Sequence, residues 1–287
     1  MPSENSIQDV FTLGRHNHLV AIMERPCLLE RQQLVVMINA GLVPHVGPFR
    51  MHVDLSRALV DQGIASLRFD LSGIGDSQWP INAAVGVEQH LQDMDDLTAW
   101  IQQNFPDYSV WVFGSCTGAD YAHQVLCHHA LFVGGIFLDG YAYPTFGFHA
   151  RKIADLLKSP SRLIAAIGRR CLQPLTRKKV ESHADLNLET QSFTWTLPPK
   201  TETEQDYQDW LNRNLFWLNV FSGGAHDYFR YSHQIYDAFP KLALQERCEI
   251  IHLPRADHLY TRVLDRKMVI EMIVDWMINR CPEVVKL

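Results

Sequence analysis

Five residues, Gly114-Ser115-Cys116-Thr117-Gly118, follow directly on the apolar run Val110-Trp111-Val112-Phe113 and constrain this chain more than any other segment. They have the spacing Gly-x-nucleophile-x-Gly, with cysteine in the central place. A strand that breaks into a helix at one residue forces that residue into a tight turn. Small neighbours two positions to either side let the turn close. The spacing predicts a helix from about Thr117 to His128, whose positive N-terminal end would face the sulfur and favour thiolate.

Other apolar runs repeat the strand part of this pattern. They lie at Leu19–Ile22, Leu34–Ile38, Ile64–Phe69, Phe132–Leu138, Phe216–Phe221 and Cys248–Leu253. Between most of them the apolar spacing is helical: Leu55, Ala58 and Leu59; Leu91, Met94, Leu97 and Ile101; and Val263 to Ile278. Nearly continuous apolar strands alternating with helices predict an α/β fold with a mostly parallel sheet covered on both faces, beginning with a short antiparallel part. The alternation fails between Ala142 and Asn214. That gap is too long for an ordinary connection and is expected to be an inserted helical cap. The core would then comprise 1–141 and 215–287, and the cap 142–214. From Arg151 to Lys179 the insertion carries nine Lys/Arg against the single acid Asp155, and its second half is acidic.

Composition narrows the function classes. With 47% hydrophobic residues the chain can bury a large core, and a net charge of -6 gives no reason to expect nucleic-acid binding. No run of about 18 apolar residues occurs, so no transmembrane helix is expected. The N-terminus has neither a basic start nor an apolar segment, and the six cysteines (27, 116, 127, 171, 248 and 281) include no Cys-x-x-Cys pair. Reduced thiols in a cytoplasmic protein are the expectation. The histidines show no His-x-x-x-His spacing with a neighbouring Glu, so no metal or other cofactor is expected.

A thiol nucleophile needs a base, and the base needs an orienting acid. In parallel-sheet proteins such groups collect at the C-terminal edge of the strands. His258 follows the run Ile250–Leu253 and precedes the last helix. Asp227 follows Leu218–Phe221 and is expected to be the acid. Asp139, which ends the run Phe137-Leu138, competes with it, but Asp227 is favoured because its loop follows the later strand. Asp257 is expected to cap the final helix. His16, His18, His128 and His129 are read as ordinary packing or solvated residues. Donors for a developing oxyanion are expected at the backbone N–H groups of Thr117 and of Leu42, the latter in the turn Asn39-Ala40-Gly41-Leu42. Arg50 is a candidate grip for an anionic substrate group, with an ordinary ion pair as its alternative. In Asp70-Leu-Ser-Gly-Ile-Gly-Asp-Ser77 the lysine of a nucleotide-binding loop is missing, so Asp70 is read as bonding backbone groups of a structural turn.

Over nearly its whole length the chain resembles the alpha/beta-hydrolase superfamily. The segment Asp70–Ser77 resembles the family's turn after its fourth strand. Asn39–Leu42, Val46–Arg50 and Leu138–Pro144 are similar to a bacterial subgroup that includes exosortase-system-associated hydrolases. The resemblance implies the triad Cys116, Asp227 and His258 and a lid made by the insertion. Cysteine at this position is shared with dienelactone hydrolases and polyhydroxyalkanoate synthases, so it does not imply a dead enzyme.

The leading expectation is a hydrolase that acts on an ester or thioester through an acyl-cysteine intermediate. Thiolate is a good leaving group and suits thioesters, lactones and acyl transfer better than amides. The alternatives are an acyltransferase taking its acyl group from coenzyme A or an acyl-carrier protein, and a non-catalytic binding protein. A basic lid would suit the phosphates of coenzyme A, an acidic carrier protein or a membrane surface.

Overall fold

Side chains alternate between the two faces of a strand, and the expected strands are apolar on both. The computed structural model, which describes residues 6–27, 31–84, 87–158 and 197–280, shows where those faces go. An eight-stranded sheet is formed by β1 (Ser6–Leu13), β2 (Leu19–Pro26), β3 (Gln33–Met37), β4 (Ala65–Phe69), β5 (Ser109–Ser115), β6 (Phe132–Leu138), β7 (Phe216–Ser222) and β8 (Cys248–Leu253). Its order is β1-β2-β4-β3-β5-β6-β7-β8. The β1–β2 and β2–β4 pairs are antiparallel, and every later pair is parallel. The antiparallel start is therefore present. It includes β1, which no apolar run announces because most of its residues face solvent.

From β3 and β5, Val35, Met37, Trp111 and Phe113 point to one face, where they meet Met51, Leu55 and Leu59 of α1 (Met51–Val60) and Val269, Ile273 and Met277 of the C-terminal helix (Val263–Arg280). Leu34, Val36, Val110 and Val112 point to the other, against Met94, Leu97 and Ile101 of α2 (Val87–Asn104) and Ala122, Val125 and Leu126 of α3 (Thr117–His128). Register thus decides which helix each strand residue buries. Removing these side chains from water, at roughly 25 cal/mol per Å² of apolar surface, is the main force holding the layers together.

The expected cap is corrected at its C-terminal end. Among the described residues α4 (Phe146–Leu157) is followed by α5 (Lys200–Asn212), and α5 packs on the sheet. Trp210 is fully buried against Phe137, ring centroids 5.7 Å apart and nearly parallel, and Tyr207 stacks on Trp217 at 5.5 Å. These two buried aromatic contacts make α5 a helix covering β6 and β7 rather than part of a lid. In contrast, α4 buries only Phe148 and leaves Phe146 90% exposed. Most of the basic stretch, including Arg162, Arg169, Arg170, Arg177, Lys178 and Lys179, lies outside the described residues. Among the described residues, no helix is long and apolar enough to cross a membrane.

Candidate active site

Cys116 sits between the last residue of β5 and the first of α3, with φ 56° and ψ -130°. A non-glycine residue rarely adopts this conformation, and its surroundings must hold it there. Its N–H donates to the Leu138 carbonyl at 3.0 Å, and its carbonyl accepts from the Ala119 N–H at 2.9 Å. The flanking glycines are required by space: a Cβ on Gly118 would overlap the Asn39 carbonyl oxygen, and one on Gly114 would overlap the backbone of Gly118. The strand–turn–helix read from the pentapeptide is therefore present, and it presents a half-buried thiol at the C-terminal edge of the sheet.

His258 arrives from the loop after β8. That loop lies on the end of β7, where the Gly223 N–H donates to Ala256 O at 2.8 Å. A Cβ on Gly224 would come within 2.6 Å of the His258 Cβ, so the approach depends on glycine there. His258 Nδ1 donates to Asp139 Oδ2 at 2.7 Å, and the ring also hydrogen-bonds Cys116.

The acid differs from the one expected. Asp139 directly follows β6 with φ +55°, and its N–H donates to Val220 O on neighbouring β7 at 2.8 Å. That turn sends the carboxylate across the top of β7. There Oδ1 accepts the Ser222 N–H at 2.6 Å, and Oδ2 accepts the Ser222 hydroxyl at 2.7 Å as well as His258. Asp227 is carried away by the short 3-10 turn Gly223–Ala225, and its side chain is 82% exposed beside His226 at 3.4 Å. The expectation of Asp227 as partner of His258 is thus corrected to Asp139, the competitor weighed against it. The rule that favoured the later strand fails because β6 and β7 are adjacent, so either strand end can reach the same histidine.

The electrostatics follow from these contacts. Hydrogen bonds to Asp139 and then to Cys116 outweigh partial burial and raise His258 from 6.5 to about 10. The ring therefore favours carrying its second proton. Tyr228 adds a hydroxyl that donates to Asp139 O at 3.0 Å, a contact no sequence signal announced.

Opposite the thiol, Val43 N–H donates to Ala40 O at 3.1 Å and closes the turn that contains Gly41 and Leu42. Gly41 is close enough that a Cβ there would lie 3.4 Å from Thr117 Oγ1. The turn holding Leu42 and the helix start at Thr117 are thus brought together. The Leu42 side chain itself is 63% exposed. Asn39 ties the turn down, donating from Nδ2 to Val43 O at 3.0 Å and to Asp70 Oδ1 at 2.9 Å. Asp70 is buried and also accepts from the Asp76 and His45 N–H groups and from His45 Nδ1, in keeping with its reading as a turn residue. Burial opposes its ionisation, but the bonds from His45 and Asn39 win and hold its carboxyl low. Arg50 is exposed at the start of α1 with φ +68°, and among the described residues its guanidinium has no carboxylate partner. Asp257 accepts the N–H groups of Leu259 and Thr261, so it closes the turn after His258 instead of capping the final helix. Two clusters among the described residues carry metal-donor chemistry: His45, Asp70 and Asp76, already bonded to one another, and His123, Cys127 and Asp206, away from the thiol.

The family model described as serine aminopeptidase, S33, matches residues 30–185. No curated protein matches the chain. Among solved structures, an esterase from Pyrococcus furiosus is similar at 12% identity and a TM-score of 0.59, covering 94% of this chain and 90% of that one. An alpha-beta serine hydrolase homologue from Coxiella burnetii is similar at 13% identity and a TM-score of 0.52, covering 93% and 96%. A dienelactone hydrolase from Anabaena variabilis is similar at 12% identity and a TM-score of 0.51, covering 96% and 98%. At these identities the likeness is one of fold.

Proposed function

The chain belongs to the serine aminopeptidase S33 family of alpha/beta hydrolases, and from that premise we propose that it cleaves esters or thioesters through an acyl-Cys116 intermediate. The observation that carries this reading is the continuous line from Asp139 through His258 to Cys116. His258 favours carrying its second proton, and the reactive form sets the Cys116 thiolate beside that imidazolium. The thiolate attacks the substrate carbonyl carbon. The oxygen becomes anionic and is received by the N–H groups of Thr117 and Leu42. Collapse breaks the carbon–oxygen or carbon–sulfur bond, and His258 gives its proton to the departing alcohol or thiol. The now neutral imidazole takes a proton from water, whose oxygen attacks the acyl-thioester. Cys116 leaves as thiolate and the reactive pair is restored. Asp139 orients the ring and stabilises its positive charge throughout. Arg50, whose guanidinium has no carboxylate partner among the described residues, is suited to an anionic group on the substrate.

The test is intact mass after brief exposure to a panel of acyl thioesters and aryl esters, with Cys116→Ala alongside. An acyl adduct on the wild-type chain alone supports the reading. A short lifetime in water marks a hydrolase, whereas an adduct discharged only by an added alcohol or amine marks an acyltransferase. Full turnover by Cys116→Ala sinks the mechanism. Without any adduct, and with Cys116 alkylated no faster than a free thiol, a binding protein becomes the better reading.

A further inference from the structure

Past the first turns of α3, His123 and Cys127 stand four residues apart on one helix face, and α5 brings Asp206 against them. Asp206 Oδ2 lies 2.8 Å from His123 Nε2, and these two atoms and Cys127 Sγ all fall within 4.8 Å of one another. The reaction proposed above uses none of the three. We propose that His123, Cys127 and Asp206 bind a soft divalent cation of the zinc type, bridging α3 to α5.

The donor set favours that class of ion. Imidazole nitrogen, thiolate and one carboxylate suit zinc-like ions, whereas magnesium and calcium prefer oxygen. Zinc bonds of about 2.0–2.3 Å to these donors place neighbouring donors roughly 3.3–3.6 Å apart in a tetrahedron. The His123–Asp206 pair would spread slightly to that distance, and the sulfur, within 4.8 Å of both, would close on the same point. Asp206 keeps its side chain 23% exposed, which provides an entry path and leaves the fourth position to water.

A second observation points to the sulfur. Trp210 is fully buried, its Nε1 has no nitrogen or oxygen acceptor, and its indole is directed at the Cys127 thiol. A thiol is a weak acceptor, whereas a metal-bound thiolate satisfies such a donor well. The same residue also walls the imidazole: the ring of His123 lies 4.5 Å from that of Trp210 and 4.9 Å from that of Tyr141. Packing of this kind fixes ring orientation, as outer contacts do around metal ligands.

The charges agree as well. Cys127 lies in the last turn of α3, where the helix dipole favours a cation. Arg213 is the positive neighbour, but it is spent on the Leu126 and His129 carbonyls and on Asp209. Without a metal, burial and then the charge of Asp206 push the thiol up to about 12, so it holds its proton. Binding releases that proton to solvent. Thiolate and carboxylate then offset the two charges of the ion, with His123 neutral. The expectation of no metal looked for His-x-x-x-His; here the pair is His-x-x-x-Cys and the third donor comes from a distant helix.

The test uses the full chain carrying Cys116→Ala, so that the active-site thiol contributes nothing. Titration with Co²⁺ should show one ion bound, with a sulfur-to-cobalt charge-transfer band that Zn²⁺ abolishes by displacement. Cys127→Ser should remove the band and weaken binding at least about tenfold. Asp206→Asn, at a partly exposed position that spares the fold, should also weaken binding about tenfold but keep the band. A folded Cys116→Ala protein without the band overturns the proposal. So does a band unchanged by Cys127→Ser, or an affinity unchanged by Asp206→Asn. None of these readouts depends on hydrolysis.

Discussion

Replacing Asp139 with Asn, with Asp227→Asn alongside, separates the two acids by the amount of imidazole charge each supports. His258 sits at about 10 in place of 6.5, with the Asp139 hydrogen bond as the first cause and Cys116 as the second. At about 1.4 kcal/mol per unit the whole difference corresponds to ~5 kcal/mol. The imidazole is 38% exposed, and solvent screening reduces this to roughly half. With Cys116 supplying part of the remainder, losing the Asp139 charge costs about 2 kcal/mol, a factor of about 30. Asn adds a second cost, because it cannot accept from Ser222 N–H, Ser222 Oγ–H and His258 Nδ1–H together. The wrong imidazole tautomer then competes, a fault that costs about 10⁴ in the worked serine-protease case. Together these predict a fall in kcat/KM of about a thousandfold for Asp139→Asn. Asp227→Asn should change it less than about twofold, since that carboxylate is solvated. The assay is turnover of an aryl thioester across neutral and alkaline pH, with thermal unfolding to confirm the fold. Leaving-group protonation needs the imidazolium, so the alkaline limb should move from near 10 towards 6.5 in Asp139→Asn. Near wild-type kcat/KM in that variant, or equal damage from Asp227→Asn, refutes the assignment.

Three further outcomes follow from buried groups. His52 is completely buried against Phe113, and burial, then the charge of Arg68, lowers it to about 3. It stays neutral in the folded chain while the unfolded chain takes up a proton below 6.5. Its stability contribution is therefore complete above 6.5 and declines by about 1.4 kcal/mol per pH unit as pH falls towards 3. His52→Leu should flatten the pH dependence of urea unfolding in that window; an unchanged slope counts against it. Trp210→Ala should cost about 3–5 kcal/mol in the same assay, whereas a helix belonging to a separable lid would lose far less. Gly118→Ala should destabilise by about 1–3 kcal/mol and depress acylation of Cys116, because the added methyl collides with the Asn39 carbonyl that seats the oxyanion turn.

What could be read from sequence divides along physical lines. Buried parallel strands must be apolar on both faces, so β3 to β8 announced themselves, and the pentapeptide fixed Cys116 at a strand–helix junction. β1 did not, because most of its residues face solvent. His258 was legible by chain order. Asp139 was visible only as a competitor, since choosing between acids depends on which loop turns inward. That depends on a left-handed residue after β6 and a 3-10 turn after β7, neither of which has a sequence period. α5 reads as cap because Glu202, Glu204, Asp206 and Asp209 make it look like a surface segment. Tyr207 and Trp210, three residues apart, were the signal of its buried face. The Asn39–Asp70 link and the His123–Cys127–Asp206 cluster join segments far apart in sequence, beyond the reach of any local pattern.

The cysteine and the raised histidine are suited to each other, and exchanging the nucleophile tests that fit. A serine hydroxyl needs a neutral imidazole to take its proton as it attacks. With His258 near 10, only about one ring in a thousand is neutral at pH 7. A thiol avoids this demand because a thiolate can attack without a neutral base beside it, so the same value that starves a serine keeps the leaving-group proton in place. Cys116→Ser removes the sulfur's share of the shift but leaves Asp139, the larger cause, untouched. The variant should therefore fold normally and lose about a hundredfold or more in kcat/KM at neutral pH. Its residual activity should rise steadily with pH as the ring deprotonates, where the cysteine enzyme is flat. Equal activity of the two forms at neutral pH would show that His258 works as a neutral base, and that the thiolate–imidazolium pair is not the reactive form.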